Sequence, residues 1–327
     1  MLVAAVSAAA LLLAEAPFRP FTLGDGSHPL EPVMLAIVLG MIAGNAVRLP
    51  PAVGPGVKFA SKRLLPIGVV LLGARLDFYK IVQVGAIGAA MSVATILVGL
   101  GLFLLFIRLG WVKRKLGLLL GIGTAICGGT AIVAAAPVIR ADDEDVTFSV
   151  ATVTLLGLIG MFALPAIAHA LHMGDKAFGL WAGLSIHQTP QVIAAGYAYS
   201  PPAGDTATIV KLARVSLLAP ALLAVAWIAR RESRDPADPP PLGRGLLAWR
   251  GVFPTFVLGF LAMALLRTLG WLPTFTIAGH TINTAAWCEL ASKLLIVAAM
   301  AGVGLETRFA ALRRTGTRPL LLGALAA

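Results

Sequence analysis

Residues 185–191 read Ser-Ile-His-Gln-Thr-Pro-Gln inside a long apolar stretch. Five of these seven side chains form hydrogen bonds, and such groups are costly in hydrocarbon unless they line a polar cavity or pair with one another. Pro190 also removes a backbone donor and disrupts a helix. The segment predicts a broken membrane helix whose Ser185, His187, Gln188, Thr189 and Gln191 contact a substrate. A short helix lying at the membrane interface is the competing reading. His187 has the chemistry to hydrogen-bond a substrate or to relay a proton. A lone histidine is more often structural, and nothing near it has metal-ligand spacing.

A second weak point lies in Gly121-Ile122-Gly123-Thr124-Ala125-Ile126-Cys127-Gly128-Gly129-Thr130. Adjacent glycines at mid-span weaken a helix. A break at Gly128 and Gly129 would expose N–H groups at the start of a half-helix, where donors and dipole favour an anion. Thr124, Cys127 and Thr130, spaced i, i+3 and i+6, share a face if the helix continues. Close packing through small residues explains the same glycines without a site.

Lys211 and Arg214, one turn apart, supply cations within an apolar run and have no acid within a turn. Cations inside a membrane point to function, although Lys211 lies near enough to a span end to snorkel. An unpaired pair of cations suits an anionic substrate. Glu289 and Lys293, at i and i+4, are either a self-neutralising surface pair or, with His187, the coupling groups of a transporter. Asn45 is read as a helix cap and Arg267 as a snorkelling cation. There is no HExxH, GxSxG, Walker A or EF-hand loop, so the sequence predicts neither an enzyme nor a metal or cofactor site. Cys127 and Cys288 show no zinc or redox spacing.

The elements that must hold these residues are membrane helices. The chain is 58% hydrophobic and 13% charged, with a mean hydropathy of +0.90, where a soluble domain is about one-quarter charged. Eleven apolar runs are candidate spans: 2–16, 30–48, 64–78, 81–107, 116–139, 146–172, 177–199, 206–230, 251–271, 281–304 and 318–327. The last is cut by the chain end, and the sequence leaves open whether the chain continues beyond residue 327. Residues 1–16 read as a first membrane helix rather than a signal peptide. The net charge of +11 sits in short loops and does not form a nucleic-acid-binding face. If the runs alternate across the membrane, 18 Lys and Arg fall in loops on one side and 4 on the other. That bias makes the richer side, and the N-terminus, cytoplasmic and places the acidic run Asp142–Asp145 outside. The fold expected is all-α: a single polytopic membrane domain over 1–327 of about 10–11 transmembrane helices, with a mobile cytoplasmic loop at about 231–250.

Gly73-Ala74-Arg75-Leu76-Asp77 resembles Gly302-Val303-Gly304-Leu305-Glu306, and Pro32 through Gly40 loosely matches Pro254 through Gly259. Each match pairs oppositely directed spans, which predicts an inverted repeat with broken helices near the midplane. Ala131–Ala136 also resembles Gln191–Gly196, but alternate crossing makes those two segments parallel and leaves their likeness without an explanation.

The run Gly123–Ile132 resembles the GTAICG-S/T-AI signature of the YeiH-type sulfate-exporter family of bacterial inner-membrane proteins. Leu39–Asn45, Leu65–Gly73, Ser185–Gln188 and Gln191–Gly196 are similar to further family segments in the same order. The resemblance implies an inner-membrane carrier for sulfate or related oxyanions, with an architecture like that of antiporters and bile-acid carriers. Gln188 stands where the family often has an acid, which implies that coupling differs here.

These observations predict a secondary transporter that exports or exchanges a small anion by alternating access. A proton- or cation-coupled antiporter of another substrate is the alternative. The expected partners are the anion and the lipid bilayer, with no nucleic acid; a homo-oligomer is compatible with the sequence.

Overall fold

The computed structural model describes residues 1–16, 32–46, 50–231, 254–277, 280–307 and 317–326. The expected mobile loop at 231–250 lies, beyond Arg231, outside these residues. The chain divides into two compact units, residues 1–83 with 255–309, and residues 84–254 with 310–327.

The first unit contains α1 (Leu2–Ala14), α2 (Pro32–Ala46), α3 (Gly54–Phe59), α4 (Leu65–Leu72), α13 (Thr255–Thr268) and α14 (Thr284–Glu306). A short antiparallel hairpin, with Thr274 opposite Asn283, joins the last two helices. Glycines let these helices approach closely: a Cβ on Gly40 of α2 would lie 2.6 Å from the Ala301 carbonyl of α14. In the same way Gly259 of α13 meets Val70 of α4. Asn45 donates to its own helix at Met41 and across to the Thr307 carbonyl, each at 2.8 Å. It thus ties the end of α2 to the end of α14.

The second unit contains most of α5 (Phe78–Arg108), then α6 (Arg114–Ala125), α7 (Gly129–Ile139), α8 (Asp143–Ala170), α9 (Asp175–Ser185), α10 (Thr189–Tyr199), α11 (Pro201–Ser216), α12 (Leu218–Arg231) and α15 (Thr317–Ala326). Its apolar core gathers Phe103, Leu118, Ile122, Ile132, Val153 and Val225 around α6 and α7.

Among the described residues, α5, α8 and α14 are long and apolar enough to cross a bilayer, and α11 with α12 makes a fourth crossing if that pair, bent by 42°, is one span. The expected spans 116–139 and 177–199 do not cross. Each folds into a helical hairpin whose two ends lie together. Lys115, at the start of α6, reaches Asp142, just past the end of α7, at 3.3 Å. Ser200, just past α10, donates to Asp175 at the start of α9 at 2.6 Å. Straight helices would hold either pair tens of ångströms apart at 1.5 Å per residue. The physical reason is length and local backbone. Each arm has 11 or 12 residues, about 17 Å of helix and so half a bilayer. Gly128 turns the first hairpin at φ 67° and ψ −123°, a conformation open to glycine alone. Extended residues Ile186 and Gln188 turn the second, and Pro190 sits in the first turn of α10, where its missing N–H leaves no bond unmade.

Helix α8 runs from the open end of the first hairpin to the open end of the second, so the two hairpins enter from opposite ends of it. This corrects the expected sidedness: Lys113–Lys115 share a face with Arg140 and Asp142–Asp145, and Lys176 belongs to the opposite face. The acidic run therefore does not lie across the membrane from Lys115. The likeness of Ala131–Ala136 to Gln191–Gly196 also acquires a geometry, because both are return arms and they run in opposite directions.

Candidate functional site

The hairpin tips meet beside the middle of α8. A Cβ on Gly128, at the first tip, would lie 3.1 Å from Gln188 Cγ and 3.6 Å from His187 Cβ, both at the second tip. Thr154 of α8 braces the second tip. Its hydroxyl donates to Val150 at 2.7 Å and accepts from Gln188 Nε2 at 2.6 Å, and its carbonyl accepts from Gln191 Nε2 at 3.1 Å. Gln191 Oε1 packs directly onto Gly157 and has no hydrogen-bond partner. A polar residue and a glycine three positions apart in an apolar span were the available signal for Thr154 and Gly157. That signal is weak, because a lone threonine and a lone glycine are ordinary in an apolar helix.

Helices α6 and α9 both end at the tips, leaving carbonyls without intrahelical donors. Lys211 and Arg214 of α11 supply those donors. Lys211 Nζ donates to Ile126 at 2.8 Å, Ile186 at 2.9 Å and His187 at 2.6 Å, which uses all three hydrogens of an ammonium. Arg214 Nε donates to Ala125 at 2.7 Å, and its two terminal nitrogens bond the Leu184 and Thr124 carbonyls. Each cation therefore holds both hairpins. Lys211 is fully buried and Arg214 is 3% exposed. Positive charge at a helix C-terminus opposes the negative end of the dipole, which compensates part of the desolvation of these groups.

The two cations are thus committed to the protein backbone and are not the unpaired substrate ligands expected of them. Thr124 is likewise removed from that role: its hydroxyl bonds back to Leu120 at 2.8 Å, and it contributes through its carbonyl. Cys127 is buried as a free thiol. Thr130 is exposed and Gly129, Ser185, Gln188 and Thr189 are half-buried. Helices α7 and α10 both begin at the tips, so the first N–H groups of each, from Gly129, Thr130, Thr189 and Gln191, have no partner within their own helix. His187 is 2% exposed, and neither ring nitrogen has a partner. Asp205, six residues before Lys211 on α11, is buried and accepts from Tyr197 at 2.8 Å.

The other expected coupling residues lie in the first unit. Glu289 accepts from Arg75 at 3.0 Å, with both side chains part-exposed, and Lys293 follows one turn later on α14. Among the described residues, no cluster of His, Cys, Asp and Glu could hold a metal ion.

The family described as "Conserved hypothetical protein 698" matches residues 1–323. A UPF0324 membrane protein of Bacillus cereus is 34% identical over 97% of this chain and 87% of its own length. UPF0324 membrane proteins of Bordetella pertussis and Pseudomonas aeruginosa are 33% and 34% identical, each over 99% of this chain and 88% of theirs. No solved structure matches the chain. With its apolar helices and a match that runs almost from end to end, the chain belongs to the UPF0324 family of membrane proteins.

Proposed function

We propose that this protein is a secondary transporter for a small anion, and that the anion binds where the two hairpin tips meet. One observation carries the reading: two half-helices begin at the tips beside a buried, unpartnered His187, while the two neighbouring cations are already fixed. Helix ends carry about half an elementary charge each, positive at the start and negative at the end. Two ends of each kind meet here and offset one another, so the two cations leave a net charge of about +2. Asp205, the buried acid on α11, lies nearer the open end of the second hairpin. The anion would accept from the N–H groups of Gly129, Thr130, Thr189 and Gln191, with His187, Gln188 and Ser185 around it.

Discontinuous helices that meet near mid-membrane, with their N-termini toward an anion, are a recurring transporter device. The oppositely entering hairpins, and the crosswise packing of α2 on α14 and α4 on α13, support an inverted repeat. The resemblance of Gly123–Ile132 to the YeiH-type segment favours sulfate or a related oxyanion or sulfonate. Lys113–Lys115, Arg140 and the end of α12 gather at one end of the second unit, since Arg114 donates to Ala229 at 2.6 Å. The positive-inside bias makes that end cytoplasmic in a bacterial inner membrane.

Counterflow of labelled sulfate, thiosulfate and methanesulfonate into proteoliposomes tests the reading. Uptake above that of empty liposomes for at least one anion is expected. No uptake of any of the three, by protein that elutes as a single folded species, would sink it. The alternative antiporter built on His187 and Glu289 is not favoured by any contact described above, because Glu289 is engaged by Arg75 in the other unit.

A further inference from the structure

The hydrogen-bonding capacity of His187 bears on what accompanies the anion. The residue is fixed at the second tip, because Lys211 holds its carbonyl at 2.6 Å. Its Cβ stands 3.6 Å from the position of a Cβ on Gly128, the residue that caps α7. The ring is therefore buried beside the start of that half-helix, with Nδ1 and Nε2 both unpartnered. A buried polar atom without a partner costs about 1–3 kcal/mol, and folded proteins keep few of them. Two on one ring, at the meeting point of two helix N-termini, mark a ligand contact.

A neutral imidazole has one donor and one acceptor nitrogen. A fully deprotonated oxyanion has acceptors only. It can pair with the donor nitrogen, and the acceptor nitrogen then stays bare. With the anion as the ring's one partner, both nitrogens are satisfied only if one more hydrogen is present, either on the ring, which then donates twice, or on the anion. We propose that the anion binds together with one proton, and that His187 is where the two meet. This rests on the anion site proposed above and deepens it: the transported species is an anion plus a proton, taken from water on one side and released to water on the other.

The charged and titratable groups facing this point are few. Lys211 and Arg214 face it from α11, and Cys127 faces it from the first hairpin. Residues 150–160 of α8, packed on both tips, contain no titratable side chain. Lys211 has every hydrogen engaged by a carbonyl, so His187 is the group positioned to share a proton with the ligand.

The experiment is calorimetric titration of the purified protein with sulfate, thiosulfate and methanesulfonate at neutral pH, in two buffers of different ionisation enthalpy. The heat is expected to differ between buffers by the equivalent of one proton per anion. Affinity is expected to tighten about tenfold for each pH unit lowered, the slope that linkage to one proton requires. His187→Gln and His187→Asn should bind the anion with neither dependence. Heat identical in both buffers for the wild type would overturn the coupling and leave the anion site standing. Failure of all three anions to bind would overturn the anion site itself. Proton uptake that persists in both variants would move the proton away from His187. If both variants fail to fold, the wild-type comparison still decides.

Discussion

Lys211 donates to the carbonyl of His187 at 2.6 Å, so the residue whose ring lacks partners is itself held by a buried cation. The same ammonium bonds Ile126 of the other hairpin. The tips are thereby joined to each other and to α11.

Removing either cation should be strongly destabilising. Lys211→Met and Arg214→Met each leave three buried carbonyls at helix ends without donors, and a buried acceptor left bare costs about 1–3 kcal/mol. Because both cations hold the same two tips, the double variant should lose less than the sum of the single losses. Thermal unfolding in detergent checks this. Wild-type stability in either single variant would mean that the caps do not hold the tips.

Gly128→Ala should destabilise by about 1–3 kcal/mol, the range for an L residue forced into a glycine-only backbone region. Its φ is 67°, and the added Cβ would lie 3.1 Å from Gln188 Cγ. Gly129→Ala is the control, because its Cβ would make an ordinary 3.6 Å contact with Val150. Equal unfolding temperatures for the two variants would argue against the tip geometry.

Gly157→Ala drives a methyl group into Gln191 Oε1 and should cost about 1–3 kcal/mol as overpacking. Shortening the partner, in Gly157→Ala with Gln191→Ala, should recover part of that loss. A double-mutant cycle measures it, and zero coupling would mean that the two residues are not in contact.

The hairpins make a topological prediction. Single cysteines at Lys115 and Asp142 should react with an impermeant thiol reagent from one side of the membrane, and those at Asp175 and Ser200 from the other. Labelling of positions 115 and 142 from opposite sides would restore a crossing span and remove the first hairpin.

Glu289→Gln should leave transport intact and change stability by less than about 1 kcal/mol, the usual size of an exposed ion pair. Abolished transport in this variant would revive the antiporter reading.

The membrane class, the helical fold and both backbone breaks were legible in the sequence, because buried polarity and adjacent glycines are local signals. The hairpins were not, and the reason lies in two residues. When runs 116–139 and 177–199 become hairpins, Arg140 joins the richer side and Lys176 leaves it, so the bias of 18 to 4 is unchanged. One missed hairpin would have disturbed the charge pattern; two cancel. The roles of Lys211 and Arg214 were hidden for a related reason. Their partners are carbonyls, which every residue carries, so no search for a nearby acid could reveal them.

The separation along the chain between cap and tip also sets an order of assembly. Ile126 is bonded by a residue 85 positions later. At about 5–20 residues per second, Lys211 leaves the ribosome roughly 4–17 s after Ile126 does. Through that interval the first hairpin is present without its caps, held only by its apolar packing. Its maturation is thus a late event that waits for α11, and a nascent chain stalled before residue 211 should remain open to proteolysis at the first tip.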